Sequence, residues 1–204
     1  CRLLAINLYS YVVNPFKPDA YFDFDLFKKH VALAQRIMDD IIDLELEKIE
    51  RIMAKIDSDP ENEDVKHTES VLWQKIYKKS GQGRRTGVGI TAEGDMLAAL
   101  GLRYGTEEAT EFAEKVHQTV ALSAYRSSVE MAKERGAFEV YDSEREKNNP
   151  FINRLREADP ELYEEMKKYG RRNIACLTIA PTGTTSLMTQ TTSGIEPVFL
   201  PVYK

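Results

Sequence analysis

Cysteine and histidine are both scarce in this chain of 204 residues, which contains two cysteines and three histidines. Two cysteines are too few for the disulfide framework that stabilises many small secreted domains. The histidines at positions 30, 67 and 117 lie far apart and belong to no H-x-x-x-H or C-x-x-C pattern, so the sequence predicts no metal site. Cys176 lies inside an apolar run and is predicted to be a small buried hydrophobic residue.

Long hydrophobic runs are missing as well. No apolar stretch approaches the roughly 18 residues that a membrane-spanning helix needs. No basic leader followed by an apolar segment opens the chain, as a secretory signal would. We therefore expect a cytoplasmic protein without a membrane partner.

An excess of positive charge is also absent, since the formal net charge is −5. A nucleic-acid-binding surface usually needs clustered Lys and Arg, so we expect no nucleic-acid partner. Two basic pairs, Arg84-Arg85 and Arg171-Arg172, each follow a glycine and precede an apolar run. Their simplest interpretation is a solvated boundary between elements, and the alternative is a role in steering phosphate.

What is present is an ordinary globular composition, with 42% hydrophobic and 30% charged residues. The length predicts a single domain over 1–204, with a possible flexible connection at 57–66, where Pro60 precedes a charged stretch. The chain begins at Cys1 without a methionine, from which we infer that it is a piece of a longer protein.

Apolar spacing and capping residues predict an α/β fold that is predominantly helical. One helix is expected over 23–44, and its continuation to 56 is either the same helix or a second one. A short helix is expected at 71–76. A long helix should begin after Thr106 and end at Gly136, and further helices should start at Asn149-Pro150 and Asp159-Pro160. Short strands are predicted near 2–9, 86–91 and 173–180.

The most informative segment lies near the C-terminal end. An apolar run that ends at Ala180 is followed by Pro181, Thr182 and Gly183, and then by three hydroxyl residues, Thr184, Thr185 and Ser186. A strand that turns into a hydroxyl-rich helix start presents free N–H groups that suit a phosphate. The alternative is an ordinary helix cap and turn. The P-loop pattern is absent here, and the glycine-dense stretch at 81–89 lacks the dinucleotide-binding spacing.

A cluster of three aspartates and a single glutamate are also candidates for a functional role. Asp39, Asp40 and Asp43 fall within one turn of the predicted first helix, and we interpret them as a solvated face that pairs with Arg36 or Lys48. Glu196 precedes Pro197 and is interpreted as an ordinary turn carboxylate, with a place in a binding loop as the alternative.

Several blocks of the sequence, in order, resemble the large subunit of ribonucleotide reductases, most closely the adenosylcobalamin-dependent class. The blocks cover nearly all of the chain. They are Cys1-Arg-Leu-Leu-Ala-Ile-Asn-Leu8, Arg36-Ile-Met-Asp-Asp-Ile-Ile-Asp43, Arg84-Arg-Thr-Gly-Val-Gly-Ile-Thr-Ala-Glu-Gly-Asp-Met-Leu97, Ala132-Lys-Glu-Arg-Gly-Ala-Phe138, Ala180-Pro-Thr-Gly-Thr-Thr-Ser186 and Ser193-Gly-Ile-Glu-Pro197.

The resemblance implies that the chain is the C-terminal part of a ten-stranded α/β catalytic barrel. In that family a cysteine thiyl radical removes a hydrogen from the ribose, and two other cysteines supply electrons and become a disulfide. The resemblance places Cys1 in that reducing pair and assigns residues Pro181, Thr182, Gly183, Thr184, Thr185 and Ser186 to the substrate phosphates. Without the radical cysteine and the second reducing cysteine, the isolated chain should be inactive.

The resemblance further implies adenosylcobalamin as the cofactor of the intact enzyme, with none expected on this piece. The implied partners are a ribonucleoside di- or triphosphate, the rest of the reductase chain, a thioredoxin-type reductant and a possible second copy of the chain. An alternative function remains open, which is a non-catalytic helical module that binds an anion or a partner.

Overall fold

A helix of 35 residues organises the molecule. The computed structural model describes residues 2–198, 200 and 202. In it, helix α1 (Phe24–Ser58) begins where the Asp23 carboxylate accepts a hydrogen bond from the Leu26 amide at 3.0 Å. Its buried side chains recur at helical spacing, as in Phe27, Val31, Met38 and Ile42. The predicted segments 23–44 and 44–56 are therefore one continuous helix.

Two more long helices pack against α1. Helix α4 (Glu107–Arg135) begins at the Thr106 cap and ends at Gly136, as predicted. Helix α2 (Glu63–Gly83) is much longer than the predicted 71–76 helix. The prediction was too short because α2 has no fully buried residue, so its apolar pattern marks only part of its length. Of the predicted connection 57–66, residues 59–62 lie between α1 and α2.

Shorter helices complete the helical part, and two of them begin where Asn149 and Asp159 predicted a start. In each case the capping side chain accepts backbone amide bonds and Pro follows at the first helical position. Among the described residues, the helices beyond α1, α2 and α4 are α3 (Glu93–Ala99), α5 (Ser143–Glu146), α6 (Pro150–Ala158), α7 (Pro160–Tyr169) and α8 (Gly183–Thr189).

Two strands predicted from the sequence form the central pair. Strand β1 (Leu3–Asn7) lies parallel to β4 (Gly87–Thr91), with Leu3 opposite Gly87 and Asn7 opposite Thr91. The crossover between them contains α1 and α2, as a parallel connection requires. A small antiparallel pair, β2 (Val12–Val13) and β3 (Tyr21–Phe22), follows a 3₁₀ turn at Leu8–Tyr11.

The third predicted strand, at 173–180, is only partly formed. It runs beside β4 but makes a single parallel bridge, between Val88 and Leu177. The amides of Thr86 and Val88 donate to the adjacent carbonyls of Ala175 and Cys176, at 2.9 and 2.7 Å. A regular ladder would use acceptors two residues apart, so the register slips here and the ladder stays short. In the described residues, two strands and this segment do not close a barrel.

The hydrophobic core lies between the helices and one face of the β1–β4 pair. Its fully buried side chains include Leu8, Phe27, Val31, Val88, Val116 and Cys176. The burial of Cys176 confirms its predicted role as a small hydrophobic residue. Within the described residues, no helix is both long enough and apolar enough to cross a membrane.

Candidate functional site

The loop that the sequence singles out for phosphate lies at the carboxyl end of the parallel strands. The extended segment after Arg172 leads to Ala180, and α8 starts at Gly183. Thr182 holds the left-handed conformation, with φ of 53°, and makes no side-chain cap to α8. Its residue type suggests a helix cap, but here the hydroxyl serves another purpose. A side chain added at Gly183 would enter open space, so the start of α8 is accessible.

The donors of this loop divide into two groups. The Ser186 amide donates to the Thr182 carbonyl at 2.8 Å, and the Ser186 hydroxyl donates to the Gly183 carbonyl at 2.8 Å. Ser186 is buried and its bonds hold the turn itself. The amides of Gly183, Thr184 and Thr185 have no acceptor among the residues that the structure describes. These three amides remain available to a ligand.

The Thr182 hydroxyl ties three segments together. It donates to the Thr91 hydroxyl at the end of β4, at 3.2 Å, and accepts from the Gly194 amide at 2.7 Å. The Thr91 hydroxyl in turn donates to the Thr192 carbonyl at 3.0 Å. The loop is therefore fixed to the strand end and to the segment at 191–194 by side-chain hydroxyls as well as by the chain itself.

A cavity of about 160 Å³ opens beside this loop. Thr182 and Thr185 line one side, and β1 and β4 line the other through residues that include Ala5 and Gly89. The strand that begins after Cys1 and the predicted phosphate loop thus face one space.

The structure describes only one of the two cysteines, Cys176. Cys1 lies outside the described residues, so its predicted redox role stays a prediction. Cys176 is completely buried, and this burial raises the pKa of its thiol to about 12. The thiolate is the form that exchanges with disulfides, so Cys176 is chemically inert at neutral pH.

The Asp39, Asp40 and Asp43 group differs from its prediction, because Asp39 is fully buried. The Asp39 carboxylate accepts from Arg84 at 2.8 Å and from Asn173 at 2.8 Å, and it also pairs with Arg172 at 3.3 Å. Asp40 bonds to Arg135, and Asp43 bonds to Arg84. Arg36 pairs with Glu134 instead. The predicted solvated face is wrong at Asp39, since arginines from distant segments cover it.

Both basic pairs contribute a buried arginine, which contradicts their interpretation as solvated boundaries. Burial lowers the pKa of Arg84, but its bonds to Asp39 and Asp43 outweigh this, and the pKa lies above its ordinary value. Arg171 is 2% exposed, and its guanidinium bonds to both carboxylate oxygens of Glu146 at 2.5 Å. Sequence alone gives no sign of these partners because they lie far away along the chain.

Comparison with known protein families shows which family the chain belongs to. The family described as "Ribonucleotide reductase, barrel domain" matches residues 1–204. The chain belongs to this ribonucleotide reductase family.

Individual relatives agree with this membership. The chain is 32% identical over 200 residues to a vitamin B12-dependent ribonucleoside-diphosphate reductase of Thermoplasma acidophilum. The aligned region covers 98% of the chain and 20% of that relative. It is 28% identical to a protein of the same name from Mycobacterium tuberculosis, over 98% of the chain and 22% of the relative. A ribonucleoside-diphosphate reductase subunit alpha of Chlamydia pneumoniae is 26% identical, over 98% and 18%. The chain thus spans about a fifth of the length of these relatives.

Sequence reasoning missed three residues that hold this reductase loop in place: Thr91, Asp95 and Thr192. The Asp95 carboxylate accepts from the Thr192 amide at 2.6 Å, and the Thr192 carbonyl accepts from the Ala92 amide at 3.0 Å. The only sign in the sequence is that Thr91 and Asp95 belong to one reductase-like block and Thr192 directly precedes another.

Proposed function

We propose that this chain forms part of the catalytic barrel of a ribonucleotide reductase that converts ribonucleoside diphosphates to deoxyribonucleotides. Its loop at Pro181, Thr182, Gly183, Thr184, Thr185 and Ser186 binds the substrate phosphates. The observation that carries this proposal is the set of free amides at Gly183, Thr184 and Thr185 beside the cavity shared with β1 and β4. Ser186 acts mainly by holding the turn. The diphosphate is favoured because the relatives are named as diphosphate reductases.

Cys1 is proposed as one of two thiols that become a disulfide as the ribose is reduced. This role is supported by its place in the sequence, two residues before β1, whose residues Leu3, Leu4 and Ala5 line the same cavity as the phosphate loop. A thioredoxin-type reductant would then return the disulfide to thiols. The radical cysteine and the second reducing thiol must come from elsewhere, because the buried Cys176 fits neither role.

The relatives' names also imply cobalamin. In the intact enzyme, adenosylcobalamin would supply the means of forming the thiyl radical. The cavity of about 160 Å³ at the loop is too small to hold a corrinoid. A cytoplasmic location and assembly with the rest of a reductase are part of the same proposal.

Nucleotide protection of the loop amides tests the proposal. A saturating ribonucleoside diphosphate should slow hydrogen exchange at residues 183–185. The variant Gly183→Val should weaken binding at least tenfold, corresponding to about 1.4 kcal/mol, because its side chain fills the open space before the free amides.

Gly81→Val provides the matched control. A side chain at Gly81 in α2 also enters open space, and it lies on a helix that does not line the loop cavity. This variant should bind like the parent. Equal affinity of Gly183→Val and the parent, or unchanged exchange at 183–185, would contradict the proposed site. The non-catalytic anion-binding alternative predicts equal affinity for free pyrophosphate and for the nucleotide.

A further inference from the structure

Helix α3 begins without any cap from its own sequence. The residue at its cap position, Ala92, is fully buried, has φ of 65°, and makes no side-chain hydrogen bond to the helix. A helix start leaves its first amides unsatisfied, and burial makes that costly. Here a residue from a distant part of the chain accepts hydrogen bonds from amides at the helix start.

Thr192 takes the place of the missing cap. Its hydroxyl accepts from the Asp95 amide at 3.4 Å, and its carbonyl accepts from the Ala92 amide at 3.0 Å. The Asp95 carboxylate, at the third position of α3, accepts from the Thr192 amide at 2.6 Å. This is the reciprocal pattern of a capping box, with the threonine supplied by a segment 97 residues away.

The backbone around the box is shaped for this contact. A Cβ atom at Gly94 would lie 2.9 Å from the Glu196 carbonyl oxygen and 2.9 Å from the Pro197 Cα atom. Glycine is therefore required for the segment 192–197 to lie directly on the first turn of α3. Both the glycine and the carboxylate of α3 favour the same docked position.

The docked segment then fixes the phosphate loop. Two residues after Thr192, the Gly194 amide donates to the Thr182 hydroxyl at 2.7 Å. The Thr91 hydroxyl, which accepts from Thr182, donates to the Thr192 carbonyl at 3.0 Å. Asp95 is thus connected to Thr182 through two bonded routes that share Thr192.

We propose that Asp95 is a positioning residue for the phosphate loop, acting through Thr192 and the Gly194 amide on Thr182. This inference rests on the proposed function, since it concerns the loop that binds phosphate. Asp95 does not line the cavity at the loop. Its role is to hold the left-handed Thr182 and the amides after it in one arrangement, so that binding does not have to order them.

The experiment uses the gene product that carries this chain, with a ribonucleoside diphosphate as the ligand. Asp95→Ala removes the acceptor for the Thr192 amide and should raise the dissociation constant about tenfold. It should also speed hydrogen exchange at the Thr192 and Gly194 amides. Asp95→Asn keeps an acceptor oxygen and should restore most of the affinity. Thr192→Val and Thr192→Ser form a second pair, in which only the serine keeps the hydroxyl.

Asp23→Ala is the matched control. The Asp23 carboxylate also accepts a helix-start amide, that of Leu26, at 3.0 Å, but it lies at α1, and no side-chain hydrogen bond among the described residues connects it to the loop. It should lower stability as Asp95→Ala does while leaving nucleotide affinity unchanged.

The possible failures are distinguishable. A parent protein that binds no nucleotide overturns the proposed function and this inference together. A parent that binds, with Asp95→Ala binding equally tightly or with unchanged exchange at Gly194, overturns this inference alone. An equal loss of affinity in Asp23→Ala and Asp95→Ala would also overturn it, because the effect would then be general destabilisation.

Discussion

Removing the Asp39 carboxylate should destabilise the protein strongly. Asp39 is fully buried and bonds to Arg84, which is 5% exposed, and to Asn173, and it also pairs with Arg172. Without the carboxylate, the only anionic partner of Arg84 among the described residues would be Asp43. Breaking a buried pair by removing one member typically costs about 3–5 kcal/mol, because the other charge stays buried without compensation.

The expected change is measurable by urea unfolding of Asp39→Ala, followed by the fluorescence of Trp73, the single tryptophan. In thermal unfolding, each kcal/mol corresponds to roughly 2–4 °C in Tm for a chain of this length, so the Tm of Asp39→Ala should be lower by about 6–20 °C. Asp39→Asn keeps the shape and some of the bonds, and should fall between the parent and Asp39→Ala.

The neighbouring residue offers a matched control. Asp40 also pairs with an arginine, Arg135 at 2.6 Å, but its side chain is 52% exposed. Solvent screens such a pair, so Asp40→Ala should cost about 0–1 kcal/mol. If the free energies of unfolding of Asp39→Ala and Asp40→Ala differ by less than about 1 kcal/mol, the buried network does not stabilise the fold.

Two further predictions concern strand β4 and the segment at 173–180 that runs beside it. Burial raises the pKa of Cys176 to about 12, so in a Cys1→Ser background iodoacetamide should label position 176 only after unfolding. Since the unfolded thiol ionises near its ordinary pKa of about 8.5, this residue's contribution to stability is complete below that pH. It should be lost by up to about 1.4 kcal/mol per pH unit above it, a slope that Cys176→Ala should remove in pH-dependent urea unfolding. Gly89→Ala should cost about 1–3 kcal/mol or more, because its methyl group would overlap the Thr178 carbonyl, whereas Gly81→Ala should be neutral or stabilising in the same assay.

Local signals in the sequence predicted much of the helical framework. Thr106, Asn149 and Asp159 each cap the helix that their residue types indicate, because a cap depends on neighbours within three residues. The apolar spacing of α1 was equally informative. The polar helix α2 was underestimated, since its contacts with α1 involve half-buried residues, and the short helices α3 and α5 were not predicted.

Contacts between distant segments could not be predicted in this way. Nothing near Asp39 in the sequence indicates that Arg84, Arg172 and Asn173 surround it, and its charged neighbours suggested the solvated face instead. The candidate site also combines a local signal with contacts between distant segments. The residue types at 181–186 indicated a phosphate loop, but the support of that loop by Asp95 and Thr192 depends on tertiary structure.

The parallel arrangement of β1 and β4 has a consequence for how the chain acquires its structure. Leu3 meets Gly87 only after α1 and α2 have been made and folded back, so during synthesis the edge of β1 that later pairs with β4 stays open. The segment around Leu177 joins later still, on β4. Until then the exposed backbone of these strands can pair with another chain, so aggregation during refolding should decrease as helix formation becomes faster.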